Sequence, residues 1–180
     1  MPGVGCMLSI EALNAMSVQE FTAALGGVFE HSPWVAARAA LRRPFSGRDE
    51  LHRAMCDEVA RASAAEQDAL IRAHPKLGAR GRARAQLTRA SAGEQSRAGL
   101  NACTDEQFAE LLRLNDLYAA CFGFPFILAV RGHTPESILA ALTQRLGNEA
   151  AAERATALGE INRIAGFRLA DTISARTTDQ

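Results

Sequence analysis

No apolar run in this 180-residue sequence approaches the roughly 18–20 residues that a membrane-spanning helix requires. Four cysteines are scattered at positions 6, 56, 103 and 121, with no C-x-x-C pair among them. That pattern excludes a disulfide framework and a zinc knuckle, and it makes a reduced, cytoplasmic protein the expectation. An excess of one charge is absent too: 20 basic and 20 acidic residues cancel, so nothing global favours nucleic acid or an anionic membrane. Lysine is almost missing, since Lys76 stands alone among the cations and the rest are arginine. The sequence lacks H-E-x-x-H, a phosphate-binding P-loop, a strand-borne G-x-G-x-x-G and G-x-S-x-G. Three of the histidines, His31, His52 and His133, are isolated, so no metal is expected.

What is present reads as helix after helix. "SVQEF" and "SAAEQ" open with Ser17–Glu20 and Ser63–Glu66, and each pair has the spacing of a capping box. "SGRDELHRAMCDEVARA" is expected to start at Ser46, with Leu51, Met55 and Val59 on one stripe. "SAGEQSRAGLNA" suggests another start at Ser91 with Glu94. "TDEQFAELLRLNDLYAACFG" pairs Thr104 with Gln107 and sets Phe108, Leu111, Leu112, Leu114 and Tyr118 on an apolar face. "TPESILAALTQR" has Thr134 as N-cap and Pro135 at the first helical position. A long final helix closes the chain. The run "FGFPFILAV", residues 122–130, is the one β-like piece, but no second strand exists to pair its backbone groups. It is expected to be an irregular buried connector. The prediction is an all-α, single-domain multi-helix bundle over residues 1–180 with no significant sheet, frayed at 1–7 and 175–180.

Three features can carry chemistry. In "IRAHPKLG" the residue before Pro75 is pushed out of helical conformation, so His74 belongs at or just past a helix end. A helix C-terminus favours imidazolium, which explains both a simple helix stop and a proton donor near neutral pH. In "SAGEQ" the same residues serve as a cap or, beside the arginine-rich stretch 80–89, as a seat for an anion. Arg163 and Arg168 lie on the last helix. Arg168, in "GFRLAD", has apolar neighbours and either snorkels to water or grips a carboxylate. The residues alone leave these alternatives open, and with them a non-catalytic helical binding module that uses Arg80, Arg82, Arg84 and Arg89.

In order along the chain, "AHPKLG", "LTRASAGEQSRAGLN", "LNDLYAACFGFPFILAVRG", "RLGN" and "EINRIAGFRL" resemble the OHCU decarboxylase family. Its members decarboxylate 2-oxo-4-hydroxy-4-carboxy-5-ureidoimidazoline (OHCU) in the conversion of urate to allantoin. The resemblance implies an all-α fold, a homodimer, a small-molecule substrate and no cofactor. It places the catalytic histidine on His74, with Glu94 and Arg168 as its catalytic partners. Substrate contacts fall on Pro75, Ser91, Gln95 and the apolar segment Phe126, Ile127, Leu128, Ala129 and Val130. Lys76 stands where many members of the family carry an acidic or other polar residue.

Overall fold

The computed structural model describes residues 7–78, 88–97 and 103–174. The expected frayed ends lie outside these residues, apart from Met7. Among the described residues the fold is all-α, as expected. The one bridge is an isolated parallel pairing of Leu8 with Ile173, supported by bonds from Leu8 N–H to Thr172 O and from Ser174 N–H to Leu8 O, both 3.0 Å. None of the described helices is long and apolar enough to cross a membrane.

The chain divides into two compact units, residues 1–70 with 162–180, and residues 71–161. In the first unit lie α1 (Ile10–Ala15), α2 (Val18–Leu25), α3 (Pro33–Ala39) with a 3-10 turn at Ala40–Arg42, and α4 (Arg48–Arg61). It also takes most of α5 (Ala64–Ala73) and the C-terminal part of α9 (Ala150–Thr172). Here α3 packs on both α2 and α4. The expected stripe of α4 is realised, with Leu51, Met55 and Val59 all buried, and Phe21, Leu25, Phe29 and Val35 are buried with them. Full burial of such a side chain is favourable by about 1.5–3 kcal/mol before ordering entropy is charged against it.

The second unit holds α6 (Arg89–Arg97), α7 (Asp105–Phe122), α8 (Pro135–Arg145) and the first turns of α9. Its core gathers Leu77, Leu111, Leu114, Tyr118, Phe126, Leu128, Val130, Ile138 and Leu142. Leu112, expected on the inner face of α7, is 44% exposed, because it stands about 100° around the helix from Leu111.

Capping boxes form where the spacing predicts them. Ser17 and Glu20 close the start of α2, Ser63 and Glu66 that of α5, and Thr104 and Gln107 that of α7. Two expected starts move. Helix α4 begins at Arg48 behind Gly47, because the Glu50 carboxylate accepts from both the N–H and the hydroxyl of Ser46 at 2.6 Å and holds Ser46 outside the helix. Helix α6 begins at Arg89, because Thr88 Oγ1 accepts from Ser91 N–H at 3.2 Å and Thr88 O accepts from Ala92 N–H at 2.9 Å. Ser91 is therefore inside the first turn and not the cap, and Glu94 is not its capping-box partner.

Candidate active site

His74 stands one residue beyond α5, and its N–H still reaches Ile71 O at 3.2 Å. The residue is only 7% exposed, so the imidazole is held inside the protein and not left at a frayed end. Half-buried Pro75 follows it, and the loop is then pinned to α7 at three successive residues. Lys76 Nζ meets Asp116 Oδ1 at 3.0 Å, and Asn115 Nδ2 donates to Leu77 O at 3.2 Å. Gly78 adopts a φ of +75°, and a Cβ there would lie 2.7 Å from Leu111 Cδ2. A left-handed residue in so close an approach must be glycine. The "PKLG" that follows His74 is thus a fixed turn, and its Leu77 side chain sits in the same hydrophobic cluster as Phe126, Leu128 and Val130.

Ser91 is buried on α6, with its hydroxyl 3.1 Å from Thr88 Oγ1, while Glu94 lies half-buried on the next turn. Gln95 falls on the same helix. In the arginine-rich stretch, residues 80–87, with Arg80, Arg82 and Arg84, lie outside the described residues, and Arg89 opens α6.

Residues Phe126, Ile127, Leu128, Ala129 and Val130 are all buried and non-helical, in keeping with the expected connector. Helix α7 ends at Gly123 in the left-handed region, φ 75°, which releases the chain into this run. Without a neighbouring strand, its peptide groups are met by side chains: Arg145 Nη1 donates to Ile127 O and Ala129 N–H donates to Glu160 Oε2, each at 2.7 Å.

Behind Arg145 lies a buried polar cluster that the sequence reading did not find. Glu153, fully buried, accepts from Arg145 Nε at 2.8 Å, from Arg145 Nη2 and from the Tyr118 hydroxyl. Its second oxygen accepts from Asn148 Nδ2 at 2.7 Å. "RLGN" therefore holds both ends of a clamp on Glu153. Burial, and then the bond to the Glu153 carboxylate, push the Tyr118 phenol well above its ordinary pKa, so it remains a neutral donor.

In the first unit Arg168 is 7% exposed and settles its open alternatives in favour of a carboxylate. Its Nη1 lies 2.9 Å from Glu30 Oε2 and reaches Gly27 O at 3.4 Å and Val28 O at 3.3 Å. Glu30, itself 2% exposed, was not foreseen. A glutamate in the apolar run "GGVFEHSPW" was the available signal, because such a residue is buried only with a partner. Arg163, on the same helix, is exposed and lines an open pocket of about 310 Å³ with Arg48, Asp49, His52 and Phe167.

Comparison with known proteins adds a family to this geometry. A family profile for OHCU decarboxylase matches residues 14–170. A 2-oxo-4-hydroxy-4-carboxy-5-ureidoimidazoline decarboxylase of Haloferax volcanii is 42% identical over 93% of this chain and 98% of its own length. A uric acid degradation bifunctional protein of Bacillus subtilis is 44% identical over 97% of this chain, which spans 34% of that protein. Among solved structures, an (S)-allantoin synthase superposes with a TM-score of 0.76 at 29% identity, covering 92% of this chain and 54% of that one.

Proposed function

The chain belongs to the OHCU decarboxylase family, and on that premise we propose that it converts 2-oxo-4-hydroxy-4-carboxy-5-ureidoimidazoline to (S)-allantoin, as a carbon–carbon lyase of urate degradation. The observation that carries the reading is the near end-to-end match to the Haloferax volcanii decarboxylase, 42% identical with 98% of its length covered. That one family profile runs through residues 14–170 supports treating residues 1–180 as one functional domain.

The substrate carries its carboxylate on a carbon adjacent to a ring C=N. When the carbon–carboxylate bond breaks and CO₂ leaves, the electron pair flows into that C=N, so the substrate supplies its own electron sink. We therefore assign no cofactor. The protein's work is to orient the carboxylate, to stabilise the electron-rich intermediate and to protonate one face.

His74 is the general acid that delivers this proton. Its place at the end of α5, in a turn fixed by Asn115, Lys76 and Gly78, supports the role, since a proton donor must be held still relative to its acceptor. Glu94 and Gln95 take the ureido and ring N–H groups, with Ser91 as a further partner. That Thr88 and not Ser91 caps α6 supports these assignments, because Glu94 lies a turn inside the helix and does not serve as the capping-box partner of Ser91. Arg168, oriented by Glu30, holds an anionic or carbonyl oxygen. Pro75 and the segment 126–130 form the apolar wall that desolvates the carboxylate, which favours loss of CO₂ because charge disperses in the transition state. The enzyme acts as a homodimer, an assignment taken from the family resemblance, and in the cytoplasm, an assignment taken from its scattered cysteines.

The deciding experiment generates OHCU in situ from urate with uricase and the hydrolase that follows it. Circular dichroism at the allantoin band is recorded with and without the protein. Faster and enantiopure (S)-allantoin is expected. Allantoin that forms no faster and no purer than in the blank overturns the reading.

A further inference from the structure

Two residues of the connector are claimed by the two helices that follow it in sequence. Ile127 C=O is held by Arg145 of α8, and Ala129 N–H is held by Glu160 of α9. The Arg145 guanidinium also lies 4.6 Å over the Phe126 ring. Glu153, Asn148 and Tyr118 fix that guanidinium from behind, so its remaining N–H groups have little freedom.

The spacing of the two contacts carries the argument. In an extended chain the polar groups of residues two apart share one edge, and those of the residue between them face the other. Arg145 and Glu160 therefore occupy the edge of residues 127 and 129. Leu128, only 7% exposed, is left with its own N–H and C=O on the opposite edge. Neither group has a hydrogen-bond partner among the described residues. Buried peptide groups are otherwise almost always paired, so this edge has donor and acceptor capacity to offer a bound molecule.

Resting on the decarboxylase reading, we propose that Arg145 and Glu160 are positioning residues for the reaction: they grip one edge of Ile127–Ala129 so that the Leu128 peptide groups meet the substrate ring in a fixed place. They act through the backbone and not on the reacting atoms. What this role requires of Glu160 is an acceptor oxygen at the reach of a glutamate side chain.

The test compares the full-length protein with Glu160→Ala, Glu160→Asp and Glu160→Gln, since replacing Arg145 also strips a buried ion pair. OHCU is generated in situ, and kcat, KM and the enantiomeric purity of allantoin are measured beside far-UV dichroism and Tm. Glu160→Ala and Glu160→Asp are expected to lower kcat by about 10- to 100-fold, the scale of a misplacement near 1 Å, and to erode product chirality with little change in KM. Glu160→Gln, whose amide oxygen reaches the same N–H, is expected to retain most of both. Wild-type kcat and chirality in Glu160→Ala and Glu160→Asp overturn the proposal. So does a loss of kcat that follows Tm equally in all three variants, which marks Glu160 as structural only. A wild-type protein that leaves OHCU untouched overturns the decarboxylase reading instead, and this inference with it.

Discussion

The Arg145 guanidinium and the Glu153 carboxylate meet inside the second unit, Nε to Oε1 at 2.8 Å, with Arg145 8% and Glu153 0% exposed. A buried pair of this kind balances large opposing terms: desolvation of both charges against their attraction and the bonds that satisfy what remains. Removing one partner strands the other. Arg145→Met and Glu153→Leu are each expected to destabilise the fold by about 3–5 kcal/mol, and the double replacement by much less than the sum. Urea melts of the three variants provide the measurement; single variants as stable as wild type contradict the account.

At the candidate acid the expectation concerns activity and not folding. His74 lies one residue beyond the end of α5, so replacing its side chain leaves the residues of the helix itself unchanged. His74→Ala and His74→Asn should therefore abolish decarboxylation while far-UV dichroism stays near wild type. Turnover close to the wild-type rate in either variant would remove His74 from the mechanism.

A third expectation concerns the turn that holds His74. Gly78→Ala asks an L-residue to sit at φ +75° with its Cβ against buried Leu111. The left-handed conformation alone costs about 1–2 kcal/mol. A lower Tm is expected, and with it a reduced kcat even well below the melting temperature, because the turn relaxes by moving His74. Rates unaltered at 25 °C would show that the turn and the imidazole are uncoupled.

The pH dependence of stability has a readable contributor in the first unit at Glu66. Arg38 Nη2 lies 2.5 Å from Glu66 Oε1, and this bond, followed by those from Ser63, lowers the Glu66 pKa from 4.5 to about 2. The folded value lies below the unfolded one, so the contribution is complete above pH 4.5 and is lost as pH falls towards 2. Thermal melts of wild type and Glu66→Gln should differ at pH 6 and converge as the solution is acidified through that window. A gap that stays constant to pH 2 would assign the effect to something other than ionisation.

Much of the fold was legible because its signals are local. A capping box is a matter of residues i and i+3, so Ser17–Glu20, Ser63–Glu66 and Thr104–Gln107 could be read directly. Where two local signals overlap the reading slips: "TRASAGE" carries both Thr88–Ser91 and Ser91–Glu94 spacings, and the upstream hydroxyl takes the cap. The place of His74 followed from Pro75 alone. Long-range pairings left at most a hint that a residue needs a partner, as Glu30 does in "GGVFEHSPW", and no sign of which. Nothing near Arg168 announces Glu30, nothing near Ala129 announces Glu160, and the sequence showed no partners for the backbone of 122–130 because they arrive as side chains from other helices. The family pattern did point to "RLGN", and the physical reason for it appears only once Arg145 and Asn148 are seen closing on Glu153.

The solitary lysine has a practical consequence. Its side chain is 51% exposed, two residues beyond His74, on the turn tied to α7. An amine-directed dye or cross-linker therefore meets a single side-chain target in the chain. Attached there, a fluorophore would report on the surroundings of the candidate acid from the one side-chain amine of the chain, without any engineered cysteine.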